Sequence, residues 1–99
     1  MINLRYKCRT SLEKIKECVS SIASSNKLKT TTYIYYLGNG KNNDKNVYKE
    51  RVIFYKKRFF KSRELLNIDI YPREPIEVEI IGNNKLTEIF KDQIKEYIL

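Results

Sequence analysis

The sequence runs to 99 residues, 41% of them hydrophobic and 32% charged, with a formal net charge of +8. That length suits one compact domain spanning residues 1–99 and not two, and the absence of any apolar run near about 18 residues excludes a membrane-spanning helix. With no histidine in the chain, the usual general base near neutral pH, the usual nucleophile activator and the commonest metal ligand are all missing.

The chain opens on a period of two. Ile2, Leu4, Tyr6 and Cys8 alternate with Asn3, Arg5, Lys7 and Arg9, the pattern of a strand with one face buried. The same segment lacks the basic head, apolar stretch and small-residue cleavage site of a secretory leader, so a soluble protein of the cell interior is expected. Thr10-Ser11-Leu12-Glu13 follows, in which Thr10 as N-cap and Glu13 three residues on would form a reciprocal capping box. Leu12, Ile15, Val19 and Ile22 then share one helical face to about Ser24, and Ser24-Ser25-Asn26 ends the helix.

Residues 28–37 are β-branched and aromatic throughout, which is strand chemistry. Gly38-Asn39-Gly40-Lys41-Asn42-Asn43-Asp44 is a loop, and a second strand, about Asn46–Phe60, returns from it, so the pair reads as a hairpin with a long mobile tip. Gly38-Asn39-Gly40 has no phosphate-motif spacing and needs no role beyond the turn. Lys61-Ser62-Arg63 breaks the pattern. Leu66, Ile68 and Ile70 resume it as a third strand of this region, Pro72-Arg73-Glu74-Pro75 forces a turn or an edge-strand crossing, and Ile76, Val78 and Ile80 alternate with Glu77 and Glu79 as another strand. Gly82-Asn83-Asn84 stops that strand and offers Asn84 as an N-cap. Leu86, Ile89, Phe90, Ile94, Tyr97 and Ile98 mark an amphipathic C-terminal helix. The order β-α-β-β-β-β-α predicts an α+β domain: a mostly antiparallel sheet with both helices packed on one face.

Charge is unevenly spread. Residues 1–63 hold sixteen Lys/Arg against four Asp/Glu, a balance of +12, whereas residues 64–99 hold four against eight, a balance of −4. The first segment invites a polyanion, and the pair of segments equally invites basic-to-acidic association of copies. Within the hairpin, parity places Tyr33 and Tyr35 on one side of their strand. Lys49, Arg51, Tyr55 and Lys57 share a side of the next, opposite Tyr48, Val52 and Phe54, which read as core. If the two sets coincide, tyrosines stand among cations, the arrangement that grips single-stranded nucleic acid by base stacking and phosphate contact. Lys56, Lys57, Arg58, Lys61 and Arg63 form the densest basic stretch, with Phe59 and Phe60 inside it as partner anchors or core closure. An ordinary strand surface explains the same residues, because thirteen Ile, fourteen Lys, nine Asn and eight Tyr beside one Ala match the codon bias of an AT-rich genome.

Other chemistries have thinner support. Cys8 and Cys18 cannot alone close a metal site and lie badly for a disulfide, so two free thiols are expected. Asp69, Glu77 and Glu79 would suit a divalent metal of a nuclease only if they converged, and Glu77-Val78-Glu79 lacks the lysine of the common Glu-x-Lys nuclease strand. The helix–strands–helix order from Ser11 is shared with double-stranded RNA-binding domains, but their lysine cluster at the last helix is absent, Lys85 standing alone there.

The full-length pattern, carried by stretches such as Leu65–Asn84 (LLNIDIYPREPIEVEIIGNN), resembles a family of small proteins of lipothrixviruses and rudiviruses, filamentous and rod-shaped viruses of hyperthermophilic archaea such as Acidianus. The resemblance implies a soluble α+β accessory protein acting in the infected cell's cytoplasm or in the virion, and it carries no catalytic signature to transfer. Intermixed charge on the helices fits a hot environment, whereas nine Asn do not. The expectation is a non-enzymatic protein without cofactor that binds nucleic acid through the hairpin face. The alternatives are an interaction module for itself or a host protein and, more remotely, a metal-dependent nuclease.

Overall fold

The computed structural model describes residues 2–37, 47–58, 61–82 and 84–99. The expected loop at 38–44, the Phe59-Phe60 pair and Asn83 lie outside them. In chain order the elements are β1 (Ile2–Cys8), α1 (Leu12–Ser25), β2 (Lys29–Tyr36), β3 (Val47–Arg58), β4 (Lys61–Tyr71), β5 (Ile76–Gly82) and α2 (Asn84–Ile94), which runs into one 3-10 turn at Lys95–Tyr97. The five strands form one antiparallel sheet in the order β1-β5-β4-β3-β2. The α+β class, the order of elements and the two-layer packing agree with the sequence pattern.

Alternation decides which face of the sheet is buried. Val52, Phe54, Leu66, Ile68, Ile70, Val78 and Ile80 point to one side and are buried, and they meet Ile15, Val19 and Ile22 of α1 and Leu86, Phe90 and Ile94 of α2. Phe54 and Phe90 are the largest fully buried side chains, and each such burial contributes roughly 1.5–3 kcal/mol. A buried charge shares this side: Glu50 is buried and paired with Lys16 of α1 at 3.1 Å. The opposite face of the sheet carries no layer among the described residues.

The two sheet edges differ. The end of β1 is covered by the C-terminal residues: Cys8 bridges Ile98, Arg9 N–H donates to the Tyr97 carbonyl (2.7 Å) and Leu99 N–H donates to the Lys7 carbonyl (2.9 Å). The expected helix through Ile98 therefore ends early, at Ile94, because the last residues are more useful satisfying strand donors and acceptors than continuing a helix. β2, at the other edge, has no neighbour on its outer side among the described residues.

Two further boundaries depart from the pattern. α1 is capped by Ser11, whose Oγ accepts from Lys14 N–H at 3.3 Å, so Thr10 is not the cap and Glu13 sits one position too early for the reciprocal bond. Lys61-Ser62-Arg63 belongs to β4 rather than breaking it, since Arg63 pairs with Lys56 and Lys61 with Arg58. Arg63 and Glu64 are exposed, so no buried apolar alternation marks this part of the strand. Gly82 closes β5 with φ +154, and a Cβ there would stand 2.6 Å from the Leu65 carbonyl oxygen and 2.9 Å from Leu66 Cα, so only glycine fits.

Candidate functional site

The uncovered face collects the residues that alternation directs away from the helices. Register places Tyr33 directly opposite Arg51, Tyr35 opposite Lys49, and Arg51 in turn opposite Asp69, which is opposite Glu79, which is opposite Arg5. Opposed residues of an antiparallel pair share a face. A row of tyrosine, arginine, aspartate, glutamate and arginine therefore crosses all five strands. The coincidence required of Tyr33, Tyr35, Lys49 and Arg51 is met.

At its centre is Asp69, 1% exposed. Arg51 grips it with two parallel bonds, Nε donating to Oδ1 at 2.8 Å and Nη2 to Oδ2 at 3.0 Å, while Lys49 Nζ donates to Oδ2 at 3.1 Å. Burial by itself would raise the Asp69 carboxyl, but the bonds from Arg51 and then Lys49 overcome it and leave the group below its ordinary value. The reciprocal bond to Asp69 raises the Arg51 guanidinium. The Tyr35 ring lies against both cations, 5.1 Å from Lys49 Nζ and 5.8 Å from the Arg51 guanidinium carbon, inside cation–π range.

Beside this cluster Tyr71 forms a second one. Its ring meets Arg5 at 4.6 Å, Arg73 at 5.7 Å and Lys49 at 5.9 Å, its hydroxyl donates to Glu79 Oε1 at 3.3 Å, and burial raises its phenol. Arg5 also pairs with Glu77, its Nη2 2.7 Å from Oε2. Tyr48 stands edge-on to Tyr71 with ring centroids 5.6 Å apart, and Arg73 lies 5.6 Å from its ring. This corrects the expectation that Tyr48 is core. The register slips between Tyr35 and Tyr36, so that Lys49 opposes Tyr35 and Val47 opposes Tyr36. The extra residue is Tyr48, and a bulge turns its side chain from the alternation rule onto the open face.

The rest of the proposed surface divides. Tyr55, half-buried, follows Arg51 and Ile53 on the open face opposite Lys29. Lys56 is exposed but follows Phe54 in alternation, so it and its partner Arg63 belong to the helix side of the sheet, beyond the helices. The single tyrosine-and-lysine face is thus two surfaces, because adjacent residues of a strand cannot share a side. The side chains of Lys57, Arg58 and Lys61 lie outside those described. Lys56 directly across from Arg63 is a like-charge cross-strand pair, an arrangement that costs stability.

The carboxylates expected of a nuclease do share the open face, but Asp69 is held by Arg51 and Lys49, Glu77 by Arg5, and Glu79 by the Tyr71 hydroxyl. Among the described residues no three Asp, Glu or Cys side chains stand together as a metal site. Arg5, Lys49 and Arg51 balance Asp69, Glu77 and Glu79, so the middle of the face is nearly neutral rather than a strip of free cations. Arg73 was not foreseen here. Its place follows from the turn after β4, which only tertiary structure brings over Tyr48 and Tyr71. Both cysteines are free, Cys8 buried and Cys18 half-buried. No described helix is long and apolar enough to cross a membrane. Compared with family models, curated proteins and solved structures, the chain matches none of them.

Proposed function

We propose that the chain binds single-stranded nucleic acid on the open sheet face, with bases stacked on Tyr33 and Tyr35. The observation that carries this reading is that these two exposed rings stand on an uncovered sheet face directly opposite Arg51 and Lys49. An aromatic pair on a bare sheet suits splayed bases. The Asp69 grip fixes Arg51 and Lys49 in place at the cost of their free charge. Long-range attraction then comes from the +8 chain and from exposed cations such as Lys29, Lys56 and Arg63. The sequence resemblance supports placing this activity in a non-enzymatic accessory protein of an archaeal virus, acting in the host cytoplasm or the virion.

Fluorescence-anisotropy titrations with single- and double-stranded DNA and RNA test it. The expected outcome is preference for single strands, with Tyr33→Ala and Tyr35→Ala each losing about 1–3 kcal/mol of binding. Lys56→Ala should instead reduce the salt slope by about one. Binding no tighter than that of an unrelated protein of equal charge at moderate salt, or indifference to both tyrosine changes, refutes the reading.

A further inference from the structure

Among the described residues β2 is the less guarded edge of this sheet. Its Thr30–Leu37 run carries no charge and no proline, the two commonest protections of an edge strand. Five consecutive large apolar residues, Tyr33, Ile34, Tyr35, Tyr36 and Leu37, are 41–53% exposed, and they make up most of the large hydrophobics exposed among the described residues. Neither face of the strand is buried: Tyr33 and Tyr35 look to the open side, while Ile34 and the exposed Thr30 and Thr32 look to the helix side, where the two threonines line a groove with Lys16, Val19 and Ser20 of α1. The opposite edge, by contrast, is paired with the chain's C-terminal residues at Lys7–Arg9 and carries the charges of Arg5 and Lys7.

From this we infer that a second copy of the chain pairs antiparallel through β2, joining two five-stranded sheets into one of ten strands. The strand is self-complementary under a two-fold axis. Centred on Tyr33, the pairing opposes Thr31 with the second copy's Tyr35 and Thr32 with its Ile34. Lys29 then falls opposite Leu37, so no like charges meet across the junction. Opposed residues keep their faces, so Tyr33 and Tyr35 of both copies form one continuous aromatic row. The area is small. Each of the five side chains offers roughly 100 Å² at its exposure, but the ring faces of Tyr33 and Tyr35 stay open, so the junction buries less than about 500 Å² per copy and draws on backbone hydrogen bonds between the two strands. Association is therefore weak, and the +8 charge of each copy opposes it. Added salt screens that repulsion, so dimerisation strengthens with salt where nucleic-acid binding weakens. The inference does not rest on nucleic-acid binding, and the opposite salt dependences separate the two.

Sedimentation equilibrium of the full chain from about 10 µM to about 1 mM, at about 0.1 M and about 0.5 M NaCl, tests it together with hydrogen exchange. The expected result is a monomer–dimer equilibrium tighter in high salt, with β2 amides gaining protection as concentration rises. Ile34→Lys, which places a charge on the edge without touching Tyr33 or Tyr35, should weaken the dimer at least tenfold while leaving the circular dichroism spectrum unchanged. Thr32→Lys repeats the test at a second exposed position. A chain monomeric throughout that range in both salts overturns the inference. So does a dimer that both lysine variants leave intact, or one whose formation leaves the β2 amides unprotected.

Discussion

Replacing Asp69 by Asn should move stability and nucleic-acid affinity in opposite directions. The carboxylate is buried and accepts three hydrogen bonds from Arg51 and Lys49. Removing one partner of a fully buried ion pair costs about 3–5 kcal/mol because it strands a charge. Here the side chains of Lys49 and Arg51 keep some exposure (16% and 30%), so both cations recover part of their hydration, and an amide oxygen still accepts one bond. The expected loss is about 2–3 kcal/mol, or a fall in Tm of about 10 °C or more for a domain of this size. Freed from their carboxylate, Lys49 and Arg51 become available to phosphate, so single-strand binding should tighten and its salt slope steepen. The Asp69 carboxyl lies below its ordinary value when folded, so the stability it contributes is complete above the unfolded value. That contribution disappears as pH falls through the folded one. The wild-type advantage over Asp69→Asn should accordingly shrink below about pH 4. Thermal melts from acid to neutral pH, paired with anisotropy titrations, measure both quantities. A variant as stable as wild type at pH 7 would refute the role given to the Asp69 grip. One destabilised but unchanged in affinity and salt slope would refute the binding face.

Four smaller outcomes follow from the same contacts. Gly82→Ala should cost at least about 2 kcal/mol by chemical denaturation, since the new methyl meets backbone from Leu65 and Leu66 and no side chain can yield. Ser11→Ala should lose about 1 kcal/mol of stability and Thr10→Ala much less, which distinguishes the observed cap from the one expected of a capping box. Lys27, held at φ 54 just past α1, should tolerate glycine with a gain of about 0.5–1 kcal/mol, read from the denaturation midpoint. Burial raises both thiols, so alkylation at neutral pH should be slow, quicken as pH rises, and reach half-buried Cys18 well before buried Cys8 by mass spectrometry.

Local periodicity carries the part of this fold that can be read along the chain. Ile76, Val78 and Ile80 against Glu77 and Glu79, and Ile15, Val19 and Ile22 along one helical stripe, specify element type and buried face, because burial on one side leaves a period in the chain. The same parity placed Tyr33 with Tyr35 and Lys49 with Arg51 before any strand order was known. Tertiary structure alone decided what lies across from each residue. Asp69 sits 18 residues from Arg51 in sequence, yet β3–β4 pairing turns two of the expected phosphate-binding cations into the holders of a buried carboxylate. A bulge moved Tyr48 out of the core, strand alternation set Lys56 and Arg63 apart from the tyrosine face, and the sheet order left β2 at an edge with no neighbour beyond it among the described residues. Pairing, register and strand order are long-range choices made by the packing of the whole sheet, and no local period records them.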